Sequence, residues 1–115
     1  MPTVDIAILV AAVRQAGFPE PEPEYVFHPV RKWRFDLCWV GHKVAFEREG
    51  MGPGGTPGRH QRAAGYRSDA HKYNAAQTLG FIVIRGTAAM LRDGSAVAEL
   101  IAALKARTPQ EATGG

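Results

Sequence analysis

The chain has 115 residues, 45% of them hydrophobic and 22% charged, with a formal net charge of +3. These are the proportions of one soluble globular domain with a modest core. No run of 18 apolar residues exists, which excludes a membrane-spanning helix, and one cysteine, Cys38, excludes an internal disulfide.

The other global features narrow the setting. The N-terminus lacks the basic region and cleavage site of a secretion signal. No Cys/His cluster has structural-zinc spacing. A reducing cytoplasm is expected, that of a bacterial host if the gene is viral. Nine of the fourteen basic residues lie between Arg31 and Lys72, a distribution that permits a nucleic-acid partner without demanding one.

Residues 3–16 predict an opening helix. Thr3 is placed to cap it, Asp5 sits in its first turn, and Ile6, Leu9, Val10 and Val13 form its apolar stripe. Gly17 is the stop signal. The following FPEPEPEY run, with its alternating Pro and Glu, must be extended. A first strand is expected over 24–28, ended by Pro29.

Two further strands and a tight turn are read in Arg31–Gly50. Trp33, Phe35, Leu37 and Trp39 alternate with Arg34, Asp36 and Cys38, and Val44 and Phe46 alternate with Ala45, Glu47 and Glu49. A two-residue Gly41-His42 loop of type II′ suits glycine in its first central place. Counting outward, Trp39 faces Val44, Leu37 faces Phe46, and Asp36 faces Glu47. Two carboxylates so opposed sit about 5 Å apart and repel by roughly 3 kcal/mol at an effective dielectric near 20. A divalent metal between them is one explanation, since Mg²⁺ and Mn²⁺ favour oxygen ligands. The other is a surface salt-bridge network in which Arg34, facing Glu49, neutralises the cluster.

Residues 50–58, GMGPGGTPG, hold five glycines and two prolines and exclude regular structure. They read either as a plain surface loop or as a flap leaving from Glu49. A second helix is predicted over 66–79 with Gly80 as its cap. Asp69, Lys72, Tyr73 and Ala76 share one side, and an Asp69–Lys72 surface pair is the plain account of those charges. FIVIR, 81–85, fits a strand covered on both faces. Asp93 then caps a third helix, 94–106. The domain is expected to span 1–106, with 107–115 a disordered tail. The fold class is α/β: a mixed four-stranded sheet flanked by helices, order αβββαβα, with the last strand parallel to its neighbour through a helical crossover.

That order resembles the core of the PD-(D/E)XK nucleases, and the fold implied is restriction-endonuclease-like. The motifs resemble those of phage-encoded nucleases similar to archaeal Holliday-junction resolvases: Phe27–Asp36, Glu47–Gly50, Gly58–His60, Asp69–Ala76 and Gly80–Arg85, in sequence across residues 24–104. The later part also resembles very-short-patch repair endonucleases. The resemblance implies that Asp36 and Glu47 bind Mg²⁺, with Mn²⁺ as a substitute, and that Glu24, ahead of Glu20 and Glu22, is the upstream glutamate. It further implies hydrolysis leaving a 5′-phosphate, branched DNA as substrate and a homodimer making paired nicks. The Trp-rich hairpin face or the third helix is the expected interface.

One departure stands out. The motif lysine belongs at position 49, where this chain has Glu49. Glu49 joining the metal shell, Lys72 reaching in from the second helix, or His60 acting as acid or base would each answer it; Glu49 as an extra acid with Lys72 as electrostatic substitute is the favoured combination. Arg31, Lys32, Arg34, Arg59, His60 and Arg62 are the candidate DNA contacts. Two rivals stay open: a non-catalytic DNA-binding module on the same fold, and a monomeric mismatch- or site-specific nicking enzyme.

Overall fold

The computed structural model describes residues 3–50 and 62–108, with side chains of 62–68 outside the description. The GMGPGG-type loop, Arg59, His60 and residues 109–115 of the expected tail lie outside the described residues, and so does the side chain of Arg62.

Helix α1 (Val4–Gln15), strands β1 (Glu22–Val26), β2 (Arg34–Trp39) and β3 (Val44–Arg48), helix α2 (Arg62–Thr78), strand β4 (Ile82–Gly86) and helices α3 (Ala88–Asp93) and α4 (Ser95–Arg107) follow in that order. The strands form one sheet, β1-β2-β3-β4, antiparallel except for the parallel β3–β4 pair. The protein is therefore α/β with a mixed four-stranded sheet flanked by helices. One helix more than expected is present: Thr87 caps α3 by accepting the Met90 N–H at 3.2 Å, ahead of the helix read from the apolar pattern. Asp93 still serves the start of that helix, taking the Ser95 N–H at 2.8 Å. Among the described residues no helix is long and apolar enough to cross a membrane.

Two helices end alike. Gly17 (φ +100°) and Gly80 (φ +89°) take the left-handed conformation that only glycine adopts cheaply. In each case the next residue's N–H reaches back five carbonyls, Phe18 to Val13 at 3.3 Å and Phe81 to Ala76 at 3.0 Å. Both returning aromatics drop into the core, which is the hydrophobic contact that accompanies this cap. Thr3 stands at the N-cap of α1, but its hydroxyl donates to Asp5 and makes no bond to the helix backbone. Arg107, expected in the tail, closes α4 and donates to the Gly80 carbonyl at 2.8 Å.

The β2–β3 hairpin keeps the counted register: Leu37 pairs with Phe46, Cys38 with Ala45 and Trp39 with Val44. Its turn differs from the one expected. His42 N–H bonds to the Trp39 carbonyl at 3.0 Å and Lys43 N–H to Val40 at 3.2 Å. Lys43 (φ +55°), not Gly41, takes the left-handed conformation. The loop is thus four residues, 40–43, and not a type II′ pair. Two-residue and four-residue loops centred on the same bond preserve the same register, so the count survives the wrong turn.

The sheet separates two cores. On one face, Leu37, Trp39, Val44 and Phe46 pack against Ile6, Leu9 and Val13 of α1 and Leu100 and Leu104 of α4. On the other, Phe27, Phe35, Cys38, Ala45 and Phe81 pack with Ala76 of α2. Phe27 and Phe35 are stacked, with ring centroids 4.0 Å apart. Strand β4 is an edge strand, half-buried at Ile82, Val83 and Ile84; Ile82 and Ile84 join the first core and Val83 the second. Buried Gly86 sits where a Cβ would stand 3.0 Å from the Phe46 ring and from Ala96. Trp39 is fixed by its indole N–H, which donates to the Pro19 carbonyl at 2.8 Å and pins the Pro-Glu connector to the sheet. Of the residues on the expected interface, Trp39, Leu100 and Leu104 are buried in the core, while Trp33, Val97 and Ile101 are half-buried.

Candidate active site

The alternation read for β2 breaks at Asp36. Phe35 belongs to the α2-side core, whereas Leu37 and Trp39 belong to the α1-side core. The break is shared with β1. Pairs Pro23–Leu37 and Tyr25–Phe35 bracket a step at which Glu24 adopts φ +49°, a conformation a glutamate rarely takes. Both strands therefore swap faces at Glu24 and Asp36. The two line a pocket of about 390 Å³ with Thr3, Ile6, Pro23, Leu37 and Arg48.

The β2–β3 ladder gives way at the same place, and carboxylates replace it. Asp36 N–H donates to Glu47 Oε2 at 2.8 Å, and Arg48 N–H donates to Asp36 Oδ2 at 2.8 Å. Glu47 is the buried charged residue among those described, at 7% exposure. Its other oxygen, Oε1, takes the Lys72 ammonium and, at 3.1 Å, the Tyr73 hydroxyl. An ionised carboxylate is tolerated in such a place only when paired and hydrogen-bonded, and Glu47 has both. Burial first, then the negative charge of Glu47, pushes the Tyr73 hydroxyl well above its ordinary value of 10.0, so it remains a donor.

The structure brings together Asp36, Glu47 and Lys72 and places Glu24 beside Asp36. Lys72 does not pair with Asp69, as the plain account of α2 had it; its partner is Glu47. Glu49 is not faced by Arg34. It pairs with Arg85, while Arg34 lies 3.6 Å from Glu24. Tyr73 and Arg85 are the residues that sequence reasoning left out of the site. The signal for Arg85 was its being the one charge in FIVIRG; the parallel register sets it against Glu47.

The described DNA-contact candidates are exposed and lie before β2 or at its start. Arg31 sits over the Trp33 ring at 5.0 Å, and Lys32 is exposed beside it. His28 organises this loop by accepting the Val30 and Arg31 N–H groups at 3.1 and 2.9 Å. Behind the site, Arg48 is tied to Asp5 at 3.0 Å. The Thr3 hydroxyl first, aided by Arg48, holds the Asp5 carboxyl below its ordinary value of 3.8.

Among the described residues no three His, Cys, Asp or Glu side chains converge as a metal cage. Mg²⁺ commonly takes one or two carboxylates and completes its octahedron with water and substrate phosphate. Asp36, with lone pairs beyond its one backbone bond, and Glu47, whose Oε1 already takes Lys72 and Tyr73 and whose remaining capacity is on Oε2, are on adjacent strands and are oxygen donors of the kind that open mode uses. Comparison with family models, curated proteins and solved structures returns no match.

Proposed function

We propose that this protein is a metal-dependent DNA endonuclease of the PD-(D/E)XK type, acting on branched DNA such as four-way junctions. The observation that carries the reading is the buried Glu47 carboxylate, linked to the Asp36 backbone on one side and to the Lys72 ammonium on the other. Two acids on adjacent strands with a helix lysine against one of them form a constellation that metal-assisted phosphodiester hydrolysis can use.

Asp36 and Glu47 would hold Mg²⁺ or Mn²⁺, which when bound lowers the pKa of a coordinated water and offsets charge on the phosphorane. Lys72 supplies, from α2, the positive charge that position 49 does not, and spends it on the Glu47 carboxylate, which it offsets and orients. Tyr73 fixes Glu47 Oε1 as a neutral donor, so that the carboxylate keeps one orientation. Glu24, at its strained step on the neighbouring strand, lies 3.6 Å from Arg34 and is the upstream glutamate of this reading. Arg31, Lys32 and Arg34 meet backbone phosphates and steer the duplex without reading sequence. Paired nicks across a junction call for a homodimer.

The test is cleavage of a labelled four-way junction with and without Mg²⁺. Asp36→Asn and Glu47→Gln are each expected to reduce nicking by at least about a hundredfold, the scale of losing electrostatic stabilisation at the reacting group. Full Mg²⁺-dependent nicking by either variant sinks the assignment. Binding that ignores EDTA, with no cleavage in Mg²⁺ or Mn²⁺, would mark a DNA-binding module instead.

A further inference from the structure

We propose that Arg85 is a DNA-phosphate contact built into the edge of the sheet, and that Glu49 and Tyr73 are its positioning residues. The ligand class rests on the nuclease reading; the geometry of the clamp does not. In the parallel register Glu47 pairs with Arg85 and Arg48 with Gly86, so Arg85 emerges on the same sheet face as Glu47. Strand β3 is prolonged by one more bond, Glu49 N–H to the Gly86 carbonyl at 2.8 Å, which fixes the Glu49 backbone beside Arg85. The Glu49 carboxylate then pairs with Arg85 Nη2. From the α2 side, the Tyr73 ring lies 4.2 Å from the guanidinium carbon, and the Tyr73 hydroxyl is itself anchored on Glu47.

Two contacts thus hold one planar cation in a set orientation next to the acids. The two cations of this cluster are spent differently. The Lys72 side chain is 16% exposed and committed to a buried carboxylate; the Arg85 side chain is 44% exposed, and its partner Glu49 is 34% exposed. A guanidinium carries five N–H donors in a rigid fork, and a contact through Nη2 leaves edges for a second acceptor. A phosphate diester fits that fork with paired charge-assisted bonds. Holding the fork in advance removes the rotamer cost of forming them. The glutamate at position 49 then has a purpose unlike that of the motif lysine: it aims a cation from the next strand instead of supplying one.

The experiment measures binding of a fluorescein-labelled four-way DNA junction by anisotropy in EDTA, across a series of KCl concentrations, with thermal melts to check folding. Arg85→Gln is expected to weaken binding about tenfold and to make the log–log salt slope shallower by about 0.9, the signature of one lost phosphate contact. Arg85→Lys should restore the slope but not the whole affinity, because the charge returns without the fork. Glu49→Gln should weaken binding in EDTA while leaving the salt slope unchanged, because the charge of Arg85 stays and its fixed orientation is lost; tighter binding would mark Glu49 as a competitor and overturn the positioning role, and this variant decides the matter if Arg85→Gln does not fold. A folded Arg85→Gln with wild-type slope and affinity overturns the Arg85 contact while leaving the nuclease reading standing. Glu49→Gln with unchanged binding but lost Mg²⁺-dependent cleavage overturns the positioning role and returns Glu49 to the metal shell. A wild-type protein that does not bind DNA overturns both readings.

Discussion

The two ends of the β2–β3 hairpin are built on different physics. Toward the turn, Leu37, Cys38 and Trp39 meet Phe46, Ala45 and Val44 in regular register, and all six are buried. One step the other way, the ladder ends and side-chain carboxylates take over the backbone donors of Asp36 and Arg48. The apolar end is held by area removed from water, which is non-directional and forgiving of detail. The acidic end is held by a few directional bonds around a buried charge, which are costly to leave unmade. A fold can obtain stability from the first kind of contact alone; the second kind is where the proposed chemistry would lie.

The largest expected effect lies at the apolar end. Phe46→Ala, at a position fully removed from solvent, should cost about 3–5 kcal/mol, read as a lower denaturation midpoint. Where the variant remains folded, the proposed metal-dependent cleavage should persist. Next comes the acidic end. Lys72→Met leaves Glu47 buried without its cation and should cost about 3 kcal/mol. The double variant Lys72→Met/Glu47→Leu should recover only part of that loss, because it removes the unpaired charge but strands the Asp36 N–H and the Tyr73 hydroxyl that Glu47 accepted, and it should lack the proposed cleavage. A double variant as unstable as Lys72→Met would show that the charged cluster is a structural keystone, and the contrast between the two ends would collapse.

The smallest effect concerns the support behind the site. The Asp5 carboxyl is held below its ordinary value, so its stabilisation is present at neutral pH and lost as pH falls through the lowered folded value. Asp5→Asn should therefore lower the melting temperature slightly at pH 7 and match the wild type once the wild-type Asp5 carboxyl is protonated in the folded as well as the unfolded chain, below its lowered folded value. A gap that persists in acid would assign the loss to packing against Arg48 instead of to charge.

Much of the apolar end could be read by counting. The hairpin register depended only on the bond about which the loop is centred, so it held even though the turn had four residues and Lys43, not Gly41, took the left-handed conformation. The parallel β4 followed from the helical crossover. The acidic end could not be read the same way. Phe35 and Leu37 are both large and apolar, and nothing in their pattern tells that they enter different cores. That swap depends on the conformation of Glu24 on a neighbouring strand, a tertiary event without a local signature. The pairing of Arg85 with Glu49 likewise needed the β3–β4 alignment, which no turn fixes. Helix α3 escaped because six residues carry too little periodicity to stand out from a connection.

The adjacency of Cys38 and Trp39 has a practical outcome. They are neighbours in sequence but look into opposite cores, one beneath α2 and the other beneath α1 and α4. Burial, with some help from Glu22, pushes the Cys38 thiol up to about 12, so in the closed molecule it is inert to alkylating reagents at ordinary pH. Its labelling rate thus counts openings of the α2 side, while in a Trp33→Phe background, which removes the indole packed on that same side, the emission of Trp39 follows the other. One chain carries two clocks, and their agreement or divergence under mild denaturant tells whether the layer bearing Lys72 and Tyr73 lifts by itself or only when the whole sheet comes apart.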